Sequence, residues 1–444
     1  METVDFKESS LLIDRQPQYI DSKDAAKIAA LLKMRDGKMS RSGESQIPSS
    51  VETIFDDITG EPLFFIVNWP EKSGFSVVSS VKTTVPILAH SENGNFDYRH
   101  NESAKALLTQ LKLEVQVSKD NQNDSLKRET ALMWAMYEKA DVNLSRAIDY
   151  ELQQRINKKI AAMEAKGWKY AGGLTAAGYR LPENEYNALK NDAKYLTDPA
   201  YDYEEVSLCF LSDNKENAIG PLLQTQWYQT DLPFNAAAPN GIAGCVPLAL
   251  AQICYYHRFP TKYNWTLVPA APTKGIQNNT ITLLMNEIKA YCNPSYLEGV
   301  TTATLSDASY TLNALGFQNT SARNISSSDL KSAITARNPV FVTGSDDGSG
   351  IGHAWVCDGF YEKKTNGIIS VVAGSRLPAF ERDENGFYDI GFTPKLYVET
   401  PPYAQYYHVN LGWEGVSDGW YYFSTHINTP SYRDRQYIIT ARKP

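Results

Sequence analysis

The stretch GIAGCVPLALAQICYYHRFP, Gly241 to Pro260, puts a cysteine directly after a glycine and at the head of a long apolar, alanine-rich run. The run predicts a buried helix that begins at or near Cys245. A sulfur in that place lies beside unsatisfied backbone N–H groups and the positive end of the helix dipole, which favour the thiolate. Gly244 leaves room for a substrate backbone to approach, and Pro247 falls in the first turn, where its missing N–H breaks no helical bond. Cys254 lies nine residues on, faces the other side of the helix and is expected in the core.

A nucleophilic thiol needs a partner that takes its proton and later protonates the leaving group. Six histidines are available: His90, His100, His257, His353, His408 and His426. His90 and His100 precede the expected domain boundary. His257 ends the Cys245 helix about 18 Å away at roughly 1.5 Å per residue, too far for contact, and is expected to cap carbonyls at the helix C-terminus. His353 follows the glycine-rich DDGSGIG and opens the strand HAWVCDGF, where a ring can project from a strand end toward a cleft. In YYHVNLGW, His408 and Asn410 share one face of a strand. An Asn carbonyl there can hold an imidazole in the working tautomer. Each signal alone is weak, because a free cysteine is most often simply buried.

Composition bounds the rest. The chain has 444 residues, 42% of them hydrophobic, enough for two sizeable cores and two or three globular units. The net charge of -8 and the scattered Lys and Arg leave no electrostatic footprint for nucleic acid. The apolar runs are too short to cross a bilayer, and METVDFKESS has neither the basic start nor the apolar core of an export signal. The protein is therefore expected to be cytosolic, or to have lost its leader. The five cysteines, Cys209, Cys245, Cys254, Cys292 and Cys357, form an odd set without a CxxC pair. That argues against a disulfide scaffold and a structural zinc site. Cys254 with His257, or His353 with Cys357, gives only single pairs, so no metal and no cofactor is expected.

PLFFIVNW (62–69), GFSVVSS (74–80) and VPILAH (85–90) read as strands of a small antiparallel sheet. Ile148, Leu152, Ile156, Ile160 and Met163 line one helix face. The charged, aperiodic SDNKENAIG predicts a domain boundary within Ser212 to Gly220. Beyond it, helical patterns come first and strands such as NPVFVTG, GHAWVCDGFY, YYHVNLGW and GWYYFS afterwards, which predicts an α+β domain.

With these residues in view, the chain resembles the streptopain family of papain-like cysteine peptidases. Members carry W-x-Q-x-x-P-[YF]-N, then G-C-V with A-Q-I-x-x-Y-H, then G-H-A, then H-V-N-W-G-W-G-G. Here the segments read WYQTDLPFN (Trp227 to Asn235), GCVPLALAQICYYH (Gly244 to His257), GHAWVCDGF (Gly352 to Phe360) and HVNLGWEGVSDGW (His408 to Trp420), in the same order. The earlier FFIVN, GFSVVSS and VPILAHSENGNF resemble the family's propeptide. The resemblance implies an α+β fold: a papain-like peptidase domain over 216–444, and a propeptide over 1–215 with its small sheet at about 60–100 and a helical segment at about 101–200.

It further implies a secreted, periplasmic or cell-surface bacterial cysteine endopeptidase made as a self-inhibited zymogen, acting on protein or peptide substrates, with its own propeptide as intramolecular inhibitor. Cys245 would be the nucleophile and His353 its base and subsequent acid. Gln229 would complete an oxyanion hole with the Cys245 N–H, and Asn410 would orient His353. Leu411 replaces a family Trp, Glu414 a Gly, and Pro247 with Leu248 the small residues after G-C-V. Those departures keep open a catalytically weak or inactive protein that serves as a binding or adhesion module. A transferase working through the same acyl-enzyme also stays open.

Overall fold

The computed structural model describes residues 19–35, 47–119, 130, 133–134, 137, 157–158, 160–173, 203–345, 352–375, 403–422 and 436–444. In the N-terminal part lie α1 (Ser22–Arg35), β1 (Ser50–Phe55), β2 (Pro62–Asn68), β3 (Phe75–Ser79), β4 (Ile87–Ser91), α2 (Glu102–Lys119), β5 (Lys169–Gly173) and β6 (Tyr203–Ile219). The C-terminal part continues with α3 (Cys245–His257), α4 (Asn279–Cys292), β7 (Ser295–Leu297), β8 (Val300–Thr302), α5 (Leu305–Ala314), β9 (Arg323–Asn324) and α6 (Ser327–Thr335). It closes with β10 (Val340–Ser345), β11 (Gly352–Ser375), β12 (Tyr403–Asn410), β13 (Gly419–Tyr422) and β14 (Gln436–Ile439).

The three strands expected near the N-terminus are β2, β3 and β4, joined with β1 in an antiparallel meander. Leu63 to Val67 are buried without alternation, because helices as well as neighbouring strands cover this sheet. The meander is not a separate small sheet, however. β4 pairs with β13, Trp420 opposite His90 and Tyr421 opposite Ala89, so the order β1-β2-β3-β4-β13-β12-β11-β10-β14-β9 runs on as one sheet. Phe75 and Phe96 meet Tyr421 across this joint, with ring centroids 6.4 and 6.3 Å from it.

Two N-terminal expectations need correction. The stretch taken as helical over 101–200 holds α2, but it also holds β5, which pairs with β6. Ile148, Leu152 and Ile156 lie outside the described residues, whereas Met163 is buried. The segment Ser212 to Gly220, within which the domain boundary was expected, lies almost entirely in β6, which is paired along its length with β11. A strand's backbone bonds are satisfied by its neighbour whatever its side chains are, so a charged, aperiodic string can still be a strand.

The C-terminal part follows the expected helix-then-sheet plan. α3 is apolar on every side, and ten of its thirteen residues, Val246 to Tyr255, are buried between the sheet and helices α4 and α5. Phe341, Ala354 and Val356 of the sheet complete that core with Ile281, Leu284, Ile288 and Leu312.

Candidate active site

Cys245 is the first residue of α3, as the sequence predicts, and is half-buried. Gly244 ahead of it has φ +93°, and a Cβ there would lie 2.9 Å from Thr301 Cγ2. The glycine therefore serves a close approach to β8. Thr301 also donates from Oγ1 to the Ile242 carbonyl (2.7 Å) and accepts from Asn240 Nδ2 (3.0 Å), fixing the chain that leads into Cys245.

The sulfur lies against the backbone N–H groups of Ala354, Val246 and Cys245 itself. Ala354 follows His353 on β11, so the peptide that carries the candidate base abuts the candidate nucleophile. Burial pushes the thiol up, and the three N–H groups pull it back only in part. The helix N-terminus is where the sequence placed it, but in this closed chain burial outweighs it and the thiol form is favoured.

Gln229 is buried, and its carbonyl accepts from the Ala243 N–H at 2.8 Å, two residues before Cys245. The segment around it is held on its other side by Trp227, whose indole N–H donates to the Pro269 carbonyl (3.1 Å) and whose own carbonyl accepts from Glu414 N (2.9 Å). Gln229, Cys245 and His353 are thus held on neighbouring segments.

Asn410 ends β12 and sits opposite Val356, three residues along β11 from His353. Its side chain is spent elsewhere than expected. Oδ1 accepts from Gln252 Nε2 (2.7 Å) and from the Gly412 N–H (3.1 Å), and Nδ2 donates to the Thr225 carbonyl (2.9 Å). With both lone pairs of the oxygen filled by N–H donors, this geometry gives Asn410 the task of fixing a backbone corner, not of holding the His353 ring. Gln252 and Thr225 were not singled out from the sequence. The available signal was spacing, since Gln252 lies seven residues after Cys245, two helical turns along the same face.

The substituted positions have local explanations. Leu411 is buried, and its N–H donates to Asp418 Oδ1 (2.7 Å), so the corner stays dry without a tryptophan. Glu414 has φ +60°, the left-handed region that suits the family's glycine, and its carboxylate pairs with Lys274. Pro247 is buried in the first turn of α3, as expected.

The remaining described histidines serve structure. His408 Nδ1 meets Asp358 Oδ1 at 2.6 Å, and Asp358 Oδ2 accepts from the Leu223 N–H (2.7 Å). His257 does not cap its helix through Nε2, which is buried without a partner. Burial lowers this ring to about 4, and the helix end is closed by the left-handed Arg258, whose N–H bonds the Cys254 and Tyr255 carbonyls. Cys245, Cys254, Cys292 and Cys357 are all free thiols. Among the described residues no cluster of His, Cys, Asp and Glu could hold a metal ion.

Residues 261–421 match the Peptidase C10 family, and residues 17–115 match the Spi protease inhibitor. The chain carries a C10 cysteine peptidase domain. It carries an inhibitor domain ahead of the peptidase, the arrangement of a self-inhibited zymogen. The C10 match includes His353 and Asn410, whereas Gln229 and Cys245 precede it. Among solved structures, a mutant fragment of prointerpain A from Prevotella intermedia is similar at 16% identity and a TM-score of 0.44, covering 89% of this chain and 99% of that one. No curated protein matches the chain. Among the described residues no helix is long and apolar enough to cross a membrane.

Proposed function

We propose that this C10 peptidase is an exported endopeptidase in which Cys245 is the nucleophile, His353 the proton acceptor and donor, and Gln229 the side-chain oxyanion donor. His353 takes the Cys245 proton, and the thiolate attacks the scissile carbonyl carbon. The developing oxyanion is met by the Cys245 N–H and the Gln229 NH₂. Collapse breaks the C–N bond, and His353 returns the proton to the leaving amine, which departs and leaves a thioester. His353 then deprotonates the water that attacks it, the acid product leaves, and the thiol is restored. The observation that carries the assignment is the docking of the Cys245 sulfur on the peptide that links His353 to Ala354, with Gln229 tethered two residues upstream of Cys245. Asn410 supports the corner that carries Leu411 to Glu414. The chain's relation to a propeptide-bearing family further supports export, and substrates are proteins or peptides.

The inhibitory part is proposed to end near Gly220, with processing within Ser212 to Gly220. Because that stretch lies largely in β6, cleavage there requires local opening of the β6–β11 pair. The test is incubation of the wild-type and Cys245→Ala chains with a reducing agent, followed by intact mass and reaction with an epoxysuccinyl thiol reagent. Trimming in the wild type alone, with one adduct on Cys245, is the expected result. A wild-type chain that stays whole and unlabelled even after deliberate removal of the inhibitor part overturns the assignment in favour of a binding protein.

A further inference from the structure

Three segments meet at the site, and one buried side chain touches the polar groups that hold them together. Gln252 is 1% exposed, on the α3 face that leads to Cys245. Its Nε2 donates to Asn410 Oδ1 (2.7 Å) and to Thr225 Oγ1 (3.0 Å). The orientation of the Asn410 amide is fixed by backbone: its oxygen faces the Gly412 N–H, and its nitrogen faces the Thr225 carbonyl. The oxygen that faces Gln252 therefore requires a donor, and the two hydrogens of a primary amide satisfy Asn410 and Thr225 together.

The consequence lies four residues past Thr225, at Gln229. The segment from Thr225 to Gln229 is held by backbone bonds at Gln226, to Ala270 (2.8 Å), at Trp227, from Glu414 (2.9 Å), and at Gln229, from Ala243 (2.8 Å). None of these reaches the α3 helix itself. The Gln252 amide does, from the same helix that carries the sulfur.

We propose that Gln252 is a positioning residue of the peptidase site: its amide ties the Cys245 helix, the Asn410 corner and the Thr225–Gln229 segment into one piece, and so sets where the Gln229 donor stands relative to the sulfur. This rests on the assignment of Cys245 and Gln229 made above. A tie of this kind acts in the transition state, because the oxyanion exists only there, and a misplacement of about 1 Å is enough to cost roughly a hundredfold in rate. Uniform substrate binding is little affected, so the effect falls on kcat and not on KM.

The experiment measures kcat and KM on a peptide substrate for the full chain, every variant being matured by a trace of wild-type enzyme whose own turnover is subtracted. Gln252→Met keeps length and apolar volume but cannot donate. It is expected to lower kcat about ten- to a hundredfold with KM within about twofold. In the Gln252→Met background, Gln229→Ala is expected to cost far less than it costs in the wild type, because a misplaced donor has little left to lose. Gln252→Glu adds a readout that a merely structural role would not move. Its carboxyl donates to Asn410 only when protonated, and burial raises its pKa above the ordinary carboxylate value. Its activity relative to wild type is therefore expected to rise as pH falls from about 8 to about 5. Should Gln252→Met fail to fold, Thr225→Val, which removes one acceptor of the pair at nearly constant volume, is expected to shift kcat in the same direction by a smaller factor.

A kcat for Gln252→Met within about twofold of wild type, multiplicative effects with Gln229→Ala, or a Gln252→Glu ratio that is flat with pH each overturns the proposal. A wild-type chain that turns over no faster than Cys245→Ala overturns the underlying assignment itself, a result separable from the other three because it needs no Gln252 variant.

Discussion

Gln229 and Gly244 show how single residues set up this chemistry by different means. If Gln229 supplies a neutral donor where negative charge develops, Gln229→Ala is expected to lower kcat about a hundred- to a thousandfold while Cys245 still reacts with an alkylating reagent. Steady-state kinetics beside a labelling rate separates the two effects. Gly244 contributes backbone freedom and the absence of a Cβ. At φ +93°, with Thr301 Cγ2 2.9 Å from an added Cβ, Gly244→Ala is expected to destabilise the fold by about 1–3 kcal/mol, read as a lower urea midpoint. Here the sequence pointed to the residue but not to this demand, because the neighbour that requires a glycine comes from β8, some sixty residues away in the chain.

Between elements, the decisive contact is that of β4 with β13, where the inhibitor's meander continues the peptidase's sheet. Gly419 sits at that seam. A Cβ there would lie 2.7 Å from the His90 carbonyl and 3.0 Å from both Phe75 and Ser91, all of the inhibitor part. Gly419→Ala therefore loads the joint selectively. A strain of about 1–3 kcal/mol raises the population of opened chain by roughly five- to 150-fold. The expected outcome is faster adduct formation on Cys245 in the unprocessed chain, read by intact mass over time. An unchanged rate would mean that access to the sulfur does not depend on this seam. The neighbouring loop adds to the joint: Ser417 N donates to the Asn95 carbonyl (2.9 Å), and Ser417 Oγ accepts from the Asp97 N–H (2.9 Å).

At the scale of the whole molecule, the charges buried inside the continuous sheet tie stability to pH. Burial raises Asp418 from 3.8 to about 7, a shift that the Leu411 N–H and His408 oppose and that Asp358 reinforces. Burial pulls His408 down, but the Asp358 carboxylate outweighs it, and the net shift is above 6.5. The other ionisable groups around this seam are His90 and Asp97 of the inhibitor part and Tyr421, itself raised by burial and by Asp418. Asp418 keeps its proton in the fold where the unfolded chain has lost it, so stability drains away as pH rises from 3.8 to about 7. His408 adds stability that is complete below 6.5 and is lost as pH rises through its higher folded value. Both slopes have the same sign. Asp418→Asn, which keeps an acceptor for the Leu411 N–H, is expected to flatten the fall of the urea midpoint between about pH 4 and 7. An unaltered slope would show that Asp418 ionises normally in the fold.

The helix that begins at Cys245, the strands that carry His353 and Asn410, and the meander near the N-terminus were all legible in the string, because each depends on local periodicity, on punctuation by glycine and proline, or on an ordered set of motifs. The partners were not. That Asn410 faces Gln252 instead of His353, that the charged segment at the expected boundary lies in β6, and that two sheets are one all depend on which residues meet across tens to hundreds of intervening positions. Hydrogen bonds and burial are settled between such residues, and no local pattern records them. The sequence by itself determined which groups are capable of the chemistry. Tertiary structure alone decided where each of them stands and which are spent on holding the others in place.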